Sequence, residues 1–231
     1  MWMDNWVLNT PLQFWPLYQT KKQPVLFRFF ETKRQVVVLS SSNKPEVEAN
    51  KEKCEENNIP ILRRKGGGGT VVLGPGCLIL TFAFYAKDVF GNSKYFNTIN
   101  QMWIDALQPY TPAPLSQNGI SDICSGDKKI AGTSIFRKKH LLVYQGSLLV
   151  DVNLNTIGEF LQHPSKEPEY RKGRPHSDFL TTLKILNCTL SAEELAQKCH
   201  EYFILNIDKY FLDEFHLPTE THSPLVNSAP K

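Results

Sequence analysis

Apolar positions in this chain follow two different periods. Short runs dense in β-branched and aromatic residues, PVLFRFF over 24–30 and QVVVLS over 35–40, predict strands, with the polar ETKR as the turn between them. KPEVEANKEKCEENN over 44–58 predicts one surface helix: proline stands near its start, acids crowd its front, and Asn57-Asn58 close it. IPILRR over 59–64 predicts a strand that runs straight into glycine. TVVL over 70–73 and CLILTFAF over 77–84 predict a buried hairpin or bent strand around GPG.

The period then changes. In SKYFNTINQMWIDAL over 93–107, Phe96, Ile99, Trp103 and Leu107 fall on one helical face. YTPAPLSQNG over 110–119 is a proline-rich connection. ISDICSGDKKIAGTSIF and LLVYQGSLLVDVNL predict two or three strands, with a turn at Ser125-Gly126-Asp127. NTIGEFL over 155–161 predicts a short helix, and QHPSKEPEYRKGRPHSDFL over 162–180 a long polar loop of the kind that usually carries function. SAEELAQKCHEYFILNIDKYFLDEF over 191–215 predicts the clearest helix, opened by the capping box Ser191–Glu194. Strands and helices in this order favour an α+β fold with a mixed, mostly antiparallel sheet backed by helices over alternating parallel units. Residues 1–217 are expected to form one domain and 218–231 a disordered tail.

Composition narrows the class. No apolar run is long enough to span a bilayer, and the aromatic, aspartate-bearing start lacks the basic front of a signal peptide, so a soluble cytoplasmic protein is expected. Five widely spaced cysteines with no C-x-x-C support neither a disulfide framework nor a zinc knuckle. The six histidines show no metal-binding spacing. A net charge of +3 is too small for a dedicated nucleic-acid binder. The cations are clustered, however, at Arg63-Arg64-Lys65, Lys128-Lys129, Arg137-Lys138-Lys139 and Arg171-Lys172 with Arg174, which reads either as solvated loops or as a local anion site.

Two stretches carry candidate chemistry. RRKGGGGT places cations against four glycines, whose backbone can approach a ligand closely and point N–H groups at an anion. It matches neither the P-loop nor the dinucleotide fingerprint, and by itself it also reads as a flexible glycine hairpin. In SGDKKIAGTS, strand alternation with Ile130 buried sends Lys129 to the opposite face together with Ala131, beside small residues that leave room for a ligand. A lysine held there can bind a carboxylate and stabilise developing charge. Read alone, the stretch is also an ordinary charged hairpin.

Together, RRKGGGGTV, Ser121-Asp122, GDKKIAGTS and QGSLLVDVNL resemble, in order and spacing, the motifs of the lipoate–protein ligase A family within the biotin/lipoate ligase superfamily. The 162–180 stretch also resembles a loop of a bacterial branch of that family. The resemblance implies a catalytic domain like that of class II aminoacyl-tRNA synthetases and biotin protein ligases. It implies an enzyme that activates lipoate with ATP and Mg2+ to lipoyl-adenylate. The acyl group then passes to a lysine of a lipoyl domain of 2-oxoacid dehydrogenase complexes or of glycine cleavage H protein. By motif, Arg64 would contact nucleotide phosphate. Gly67, Gly68, Gly69, Thr70, Val71 and Val72 would line the nucleotide and acyl pocket. Lys129 would hold the lipoyl carboxylate and the adenylate phosphate, and Asp122 would face the adenine or a magnesium ion. The long loop with Tyr170, Arg171, Arg174 and His176 reads as a lid or as a partner-facing surface.

The chain departs from the family pattern at Gly66, where Ser or Thr is usual, at Leu73-Gly74 in place of His-Asp, and at Ser121 in place of Asn. No amphipathic helix is read before PVLFRFF, and no accessory C-terminal domain is expected. The resemblance therefore implies a separate accessory subunit for activation, with the chain itself a monomer. Two alternatives stand beside the ligase. One is an octanoyl or lipoyl transferase using Cys124 or Cys77 as nucleophile without ATP. The other is a non-catalytic binding protein on the same fold.

Overall fold

A computed structural model describes residues 17–19, 24–88 and 90–211. Among the described residues ten strands form two sheets. The larger is built from β1 (Leu17–Gln19), β2 (Pro24–Glu31), β6 (Cys77–Tyr85), β10 (Leu141–Leu149), β9 (Lys128–Lys138), β8 (Asp122–Ser125) and β7 (Ser116–Asn118), in that spatial order and antiparallel throughout. The smaller holds β4 (Ile61–Arg63), β3 (Val36–Leu39) and β5 (Val71–Leu73), with β3 and β4 its parallel pair. The class is α+β with a mostly antiparallel sheet, as the order of elements predicts.

β6 shows how the sequence builds three layers. Its residues are apolar at both parities, so both faces can be buried. Leu78, Leu80, Phe82 and Phe84 enter the main core beneath α3 (Asn92–Leu107) and α6 (Ala192–Phe211). Cys77, Ile79 and Ala83 face the other way, onto Val36, Val38 and Leu73 of the small sheet. Trp103 and Phe203 lie fully buried on the helical side. Truncating either to alanine would cost about 3–5 kcal/mol. In α6, Leu195, Cys199, Phe203, Ile207 and Phe211 recur every four residues on the buried face. Ser191 and Glu194 close the expected box, with Ser191 N and Oγ each donating to Glu194 at 2.8 Å and Glu194 N donating to Ser191 Oγ at 3.2 Å. The expectations for 212–215, for the tail and for the region before residue 17 lie outside the described residues.

Two elements differ from the sequence pattern. The helix expected over 44–58 is two short helices, α1 (Pro45–Glu48) and α2 (Lys51–Glu56). Ala49 between them is extended and bridges Leu161, while Asn50 N donates to Phe160 O at 2.9 Å and Gln162 N to Glu48 O at 3.0 Å. Backbone pairing with the segment after α4 (Leu154–Phe160) wins over helix continuity, and Asn50 restarts the helix as a cap. The proline-rich connection contains β7, whose SQN sequence has no strand character. Gln117 is drawn there by a polar chain: Tyr144 Oη donates to Asn100 at 2.7 Å, and Asn100 donates to Gln117 at 2.9 Å. A fully buried asparagine requires such partners. Among the described residues no helix is long and apolar enough to cross a membrane.

Candidate active site

The glycine loop leaves β4 and enters β5, and the two arginines before it hold it in place. Arg63 Nη1 donates to the carbonyls of Ser40 and Asn43, both at 2.7 Å. Arg64 is buried, and its Nη2 donates back to Gly67 O at 2.6 Å and Gly69 O at 2.7 Å. The resemblance gave Arg64 to a phosphate; in the structure its guanidinium braces the loop. Gly68 takes φ +91°, a conformation that side chains disfavour. A Cβ on Gly66 would lie 2.9 Å from Ser134 Oγ, so Ser134 fills the space a side chain would need at that departure from the family pattern. At the loop's end, Thr70 Oγ1 accepts from Asn43 Nδ2 at 3.0 Å.

Lys129 faces this loop, by a route that simple alternation misses. Cys124 pairs with Lys129 but Ile123 pairs with Ala131, so the register slips and Ile130 is an extra residue. Such a bulge reverses side-chain direction on one side of the slip. Lys129 therefore shares a face with Asp122, Cys124 and Gly132, while Ala131 joins Ile123 and Ile130 in the main core. The expectation that Lys129 and Ala131 share a face is corrected by this bulge. Lys129 Nζ lies 2.7 Å from Asp122 Oδ1.

Two cavities meet at Lys129. The larger, about 540 Å³, lies between Gly68–Val72, the Asp122–Lys129 pair and the 164–180 loop. The smaller, about 120 Å³, shares Gly68–Val71, Asp122, Lys129 and Gly132 and runs inward to Val38, Leu73 and Ile79. Gly68, Gly69, Thr70, Val71, Asp122 and Lys129 line both, Val72 lines only the larger and Arg64 only the smaller. Gly67 lines neither and acts through its carbonyl on Arg64.

The 162–180 loop covers the larger cavity. It contains a short turn at Glu169–Arg171 and the helix α5 (His176–Phe179). Arg174 ties it to the β8–β9 turn, donating to the Asp127 carboxylate at 2.7 Å and to Asp127 O at 2.9 Å. Arg171 is buried with its guanidinium 4.7 Å from the Phe179 ring centre, and Tyr170 donates to Asp122 Oδ2 at 2.8 Å. His176 lines the cavity, and burial, then the positive charge of Arg171, depresses its pKa to about 4. Glu48, buried at the cavity edge, accepts from the Ser165 hydroxyl and anchors the loop's first half. Sequence reading missed Glu48 and Asn43, because nothing marks one acid among many or one loop asparagine.

Both candidate cysteines are poor nucleophiles. Cys77 is fully buried between the sheets, and burial pushes its pKa up to about 12. Cys124 is also fully buried, and burial raises its pKa, with its sulfur 3.4 Å from Tyr170 Oη. A thiolate needs exposure and net positive surroundings; neither thiol is exposed, and beside Cys124 the charge of Asp122 opposes that of Lys129. Among the described residues no group of three or more His, Cys, Asp or Glu side chains is placed to hold a metal ion.

Comparison with known proteins decides the family. The profile described as Lipoyl protein ligase A/B catalytic domain matches residues 6–204. The chain belongs to this family. It is 30% identical over 168 residues to lipoate-protein ligase A of Psychrobacter cryohalolentis, covering 71% of this chain and 44% of that protein. This member thus spans less than half the length of the curated relatives it matches. Its fold is similar to that of a bi-partite lipoate protein ligase from Thermoplasma acidophilum, with TM-score 0.72 at 17% identity over 98% of this chain and 86% of that one. It is also similar to lipoate-protein ligase A bound with ATP, with TM-score 0.67 at 20% identity over 92% and 81% of the two chains. These likenesses establish the ligase fold.

Proposed function

We propose that this chain is the catalytic unit of a lipoate–protein ligase. The observation that carries the reading is Lys129 at the junction of two cavities, facing the backbone of the glycine loop. The names of its relatives agree: a lipoate-protein ligase, a ligase bound with ATP, and a bi-partite ligase described with its E2 lipoyl domain.

In this reading the smaller recess takes the acyl chain against Val38, Leu73 and Ile79, each buried CH₂ contributing about 0.8 kcal/mol. The larger cavity takes the nucleotide along Gly68, Gly69 and Thr70. Lys129 holds the carboxylate at the junction and offsets its repulsion with the phosphates. A carboxylate oxygen attacks the α-phosphorus, the bond to pyrophosphate breaks, and lipoyl-adenylate forms. The amine of an acceptor lysine then attacks the carbonyl carbon, and AMP leaves with the electrons of the broken C–O bond. The loop over the larger cavity shields the anhydride from water. Arg64 acts by holding the loop in shape.

For magnesium, the carboxylate beside Lys129 is Asp122, already shared between Lys129 and Tyr170, while Glu48 and Glu167, which also line the larger cavity, are engaged by Ser165 and Arg171. That donor set fits an ion that arrives on the nucleotide's own phosphates, as magnesium commonly does. When bound, the ion would neutralise phosphate charge. The acceptor is a lipoyl domain of a 2-oxoacid dehydrogenase complex or glycine cleavage H protein. Residues 1–217 act as one catalytic unit in the cytoplasm, assisted in activation by a separate accessory subunit.

The test is incubation with lipoate, labelled ATP and magnesium, with and without a lipoyl domain. Labelled lipoyl-adenylate and a mass gain on the acceptor support the ligase. Acylation from an acyl-carrier-protein donor without ATP, lost on Cys124→Ser or Cys77→Ser, would establish the transferase instead. Neither product would leave a binding protein.

A further inference from the structure

We propose that Tyr170 is a positioning residue that sets Lys129 through Asp122, so that closure of the covering loop is transmitted to the ammonium group. This rests on the reading of Lys129 as the ligand of the substrate carboxylate. The covering loop and the catalytic strand pair are joined here by two consecutive bonds. Tyr170 Oη donates to Asp122 Oδ2 at 2.8 Å, and the other oxygen of the same carboxylate lies 2.7 Å from Lys129 Nζ. Both charged side chains are largely withdrawn from water, at 13% exposure for Asp122 and 23% for Lys129. Their attraction is therefore screened less than at a surface.

The direction of the chain follows from donor chemistry. A tyrosine hydroxyl has one proton, and here it goes to the carboxylate. The Cys124 sulfur, 3.4 Å from the same oxygen, must then be the donor, as a buried protonated thiol can be. The order is Cys124 to Tyr170 to Asp122, with Lys129 on the far side of the carboxylate. Packing holds the phenol in place: its ring lies 5.3 Å from that of Phe179, and Gly119, at φ +58°, leaves room for its edge.

Asp122 competes with any incoming carboxylate for the Lys129 ammonium. The Tyr170 hydrogen bond takes up part of the Asp122 charge, leaving Lys129 free to turn its remaining N–H groups toward the cavity. When the covering loop lifts, that bond is lost and Asp122 holds Lys129 more tightly. The groups facing this pair are Tyr170 and Cys124, with His176 and Arg171 lining the same cavity.

The experiment is a double-mutant cycle of Tyr170→Phe and Asp122→Asn in the full chain, which separates a coupled pair from independent effects. Phenylalanine keeps the ring contact with Phe179 and removes only the hydroxyl. Two readouts are taken: lipoate affinity by calorimetry without ATP, and the rate at which acetic anhydride labels Lys129, with the exposed Lys128 as internal reference. Y170F is expected to weaken lipoate binding about fivefold and slow Lys129 labelling about threefold, and to change each less than about twofold in the D122N background. Equal effects of Y170F in both backgrounds would overturn the proposal, as would faster Lys129 labelling in Y170F, the sign of a merely loosened loop. Lack of lipoate binding by the wild-type protein would count against the ligase reading, while the labelling cycle would still decide the coupling.

Discussion

A Cβ placed on Gly132 would lie 2.8 Å from Lys129 Nζ and 2.9 Å from its Cε. The small residue in GDKKIAGTS thus makes room for the lysine itself. Gly132 is not among the residues with positive φ, so alanine is tolerable to the backbone. The lysine tip is flexible and can yield. G132A is therefore expected to change stability by less than about 1 kcal/mol. The displaced ammonium should reduce lipoyl-adenylate formation about 10- to 100-fold. K129A, which removes the charge, should lose at least about 100-fold. Pyrophosphate release and thermal melts on the same preparations check both, and near-wild-type turnover in K129A would remove Lys129 from the mechanism.

Arg64 spends two charge-assisted bonds on Gly67 and Gly69 carbonyls. R64Q is expected to cost about 1–3 kcal/mol of stability. It should also release the loop, so hydrogen exchange over residues 66–70 should rise while that of β6 stays unchanged. Adenylate formation should fall roughly tenfold through loss of loop geometry. If exchange in the loop is unaltered and only nucleotide affinity drops, Arg64 is a direct phosphate ligand.

His176 predicts a pH dependence. Its folded pKa is depressed to about 4 by burial and by Arg171, against an ordinary value of 6.5. Between those values the unfolded chain binds the proton more readily than the folded one, so stability falls as pH drops from about 6.5 toward 4. Above that window His176 contributes no slope. Denaturation across the window should show a shallower decline for H176Q than for the wild type. Equal slopes would mean that His176 titrates as it does in water.

The cysteines give a fourth prediction. Cys124→Ala and Cys77→Ser should each keep ATP-dependent turnover within about threefold per folded molecule, since both thiols are buried and protonated. C77S buries a hydroxyl between the sheets and should lose about 1–3 kcal/mol of stability. Abolished turnover with an intact melt in either variant would restore a thiol-transfer mechanism.

The sequence by itself determined the elements whose information is local. The four-residue repeat of α6 and its Ser191–Glu194 box, the face of α3 through Ile99, Trp103 and Leu107, and the doubly apolar β6 all follow from periodicity and capping. The glycine loop and Lys129 were legible as a candidate pair from residue type and motif order. Tertiary structure alone decided the rest, because those outcomes depend on partners distant in the chain. The bridge from Ala49 to Leu161 divides a helix that local propensity would continue. The Asn100 chain makes a strand of Ser116–Asn118. One extra residue at Ile130 turns Lys129 toward Asp122, where a hydroxyl 48 positions along the chain completes the carboxylate's bonds. Alternation is a rule of regular backbone; a bulge depends on what two strands must both bury, and no single strand carries that information.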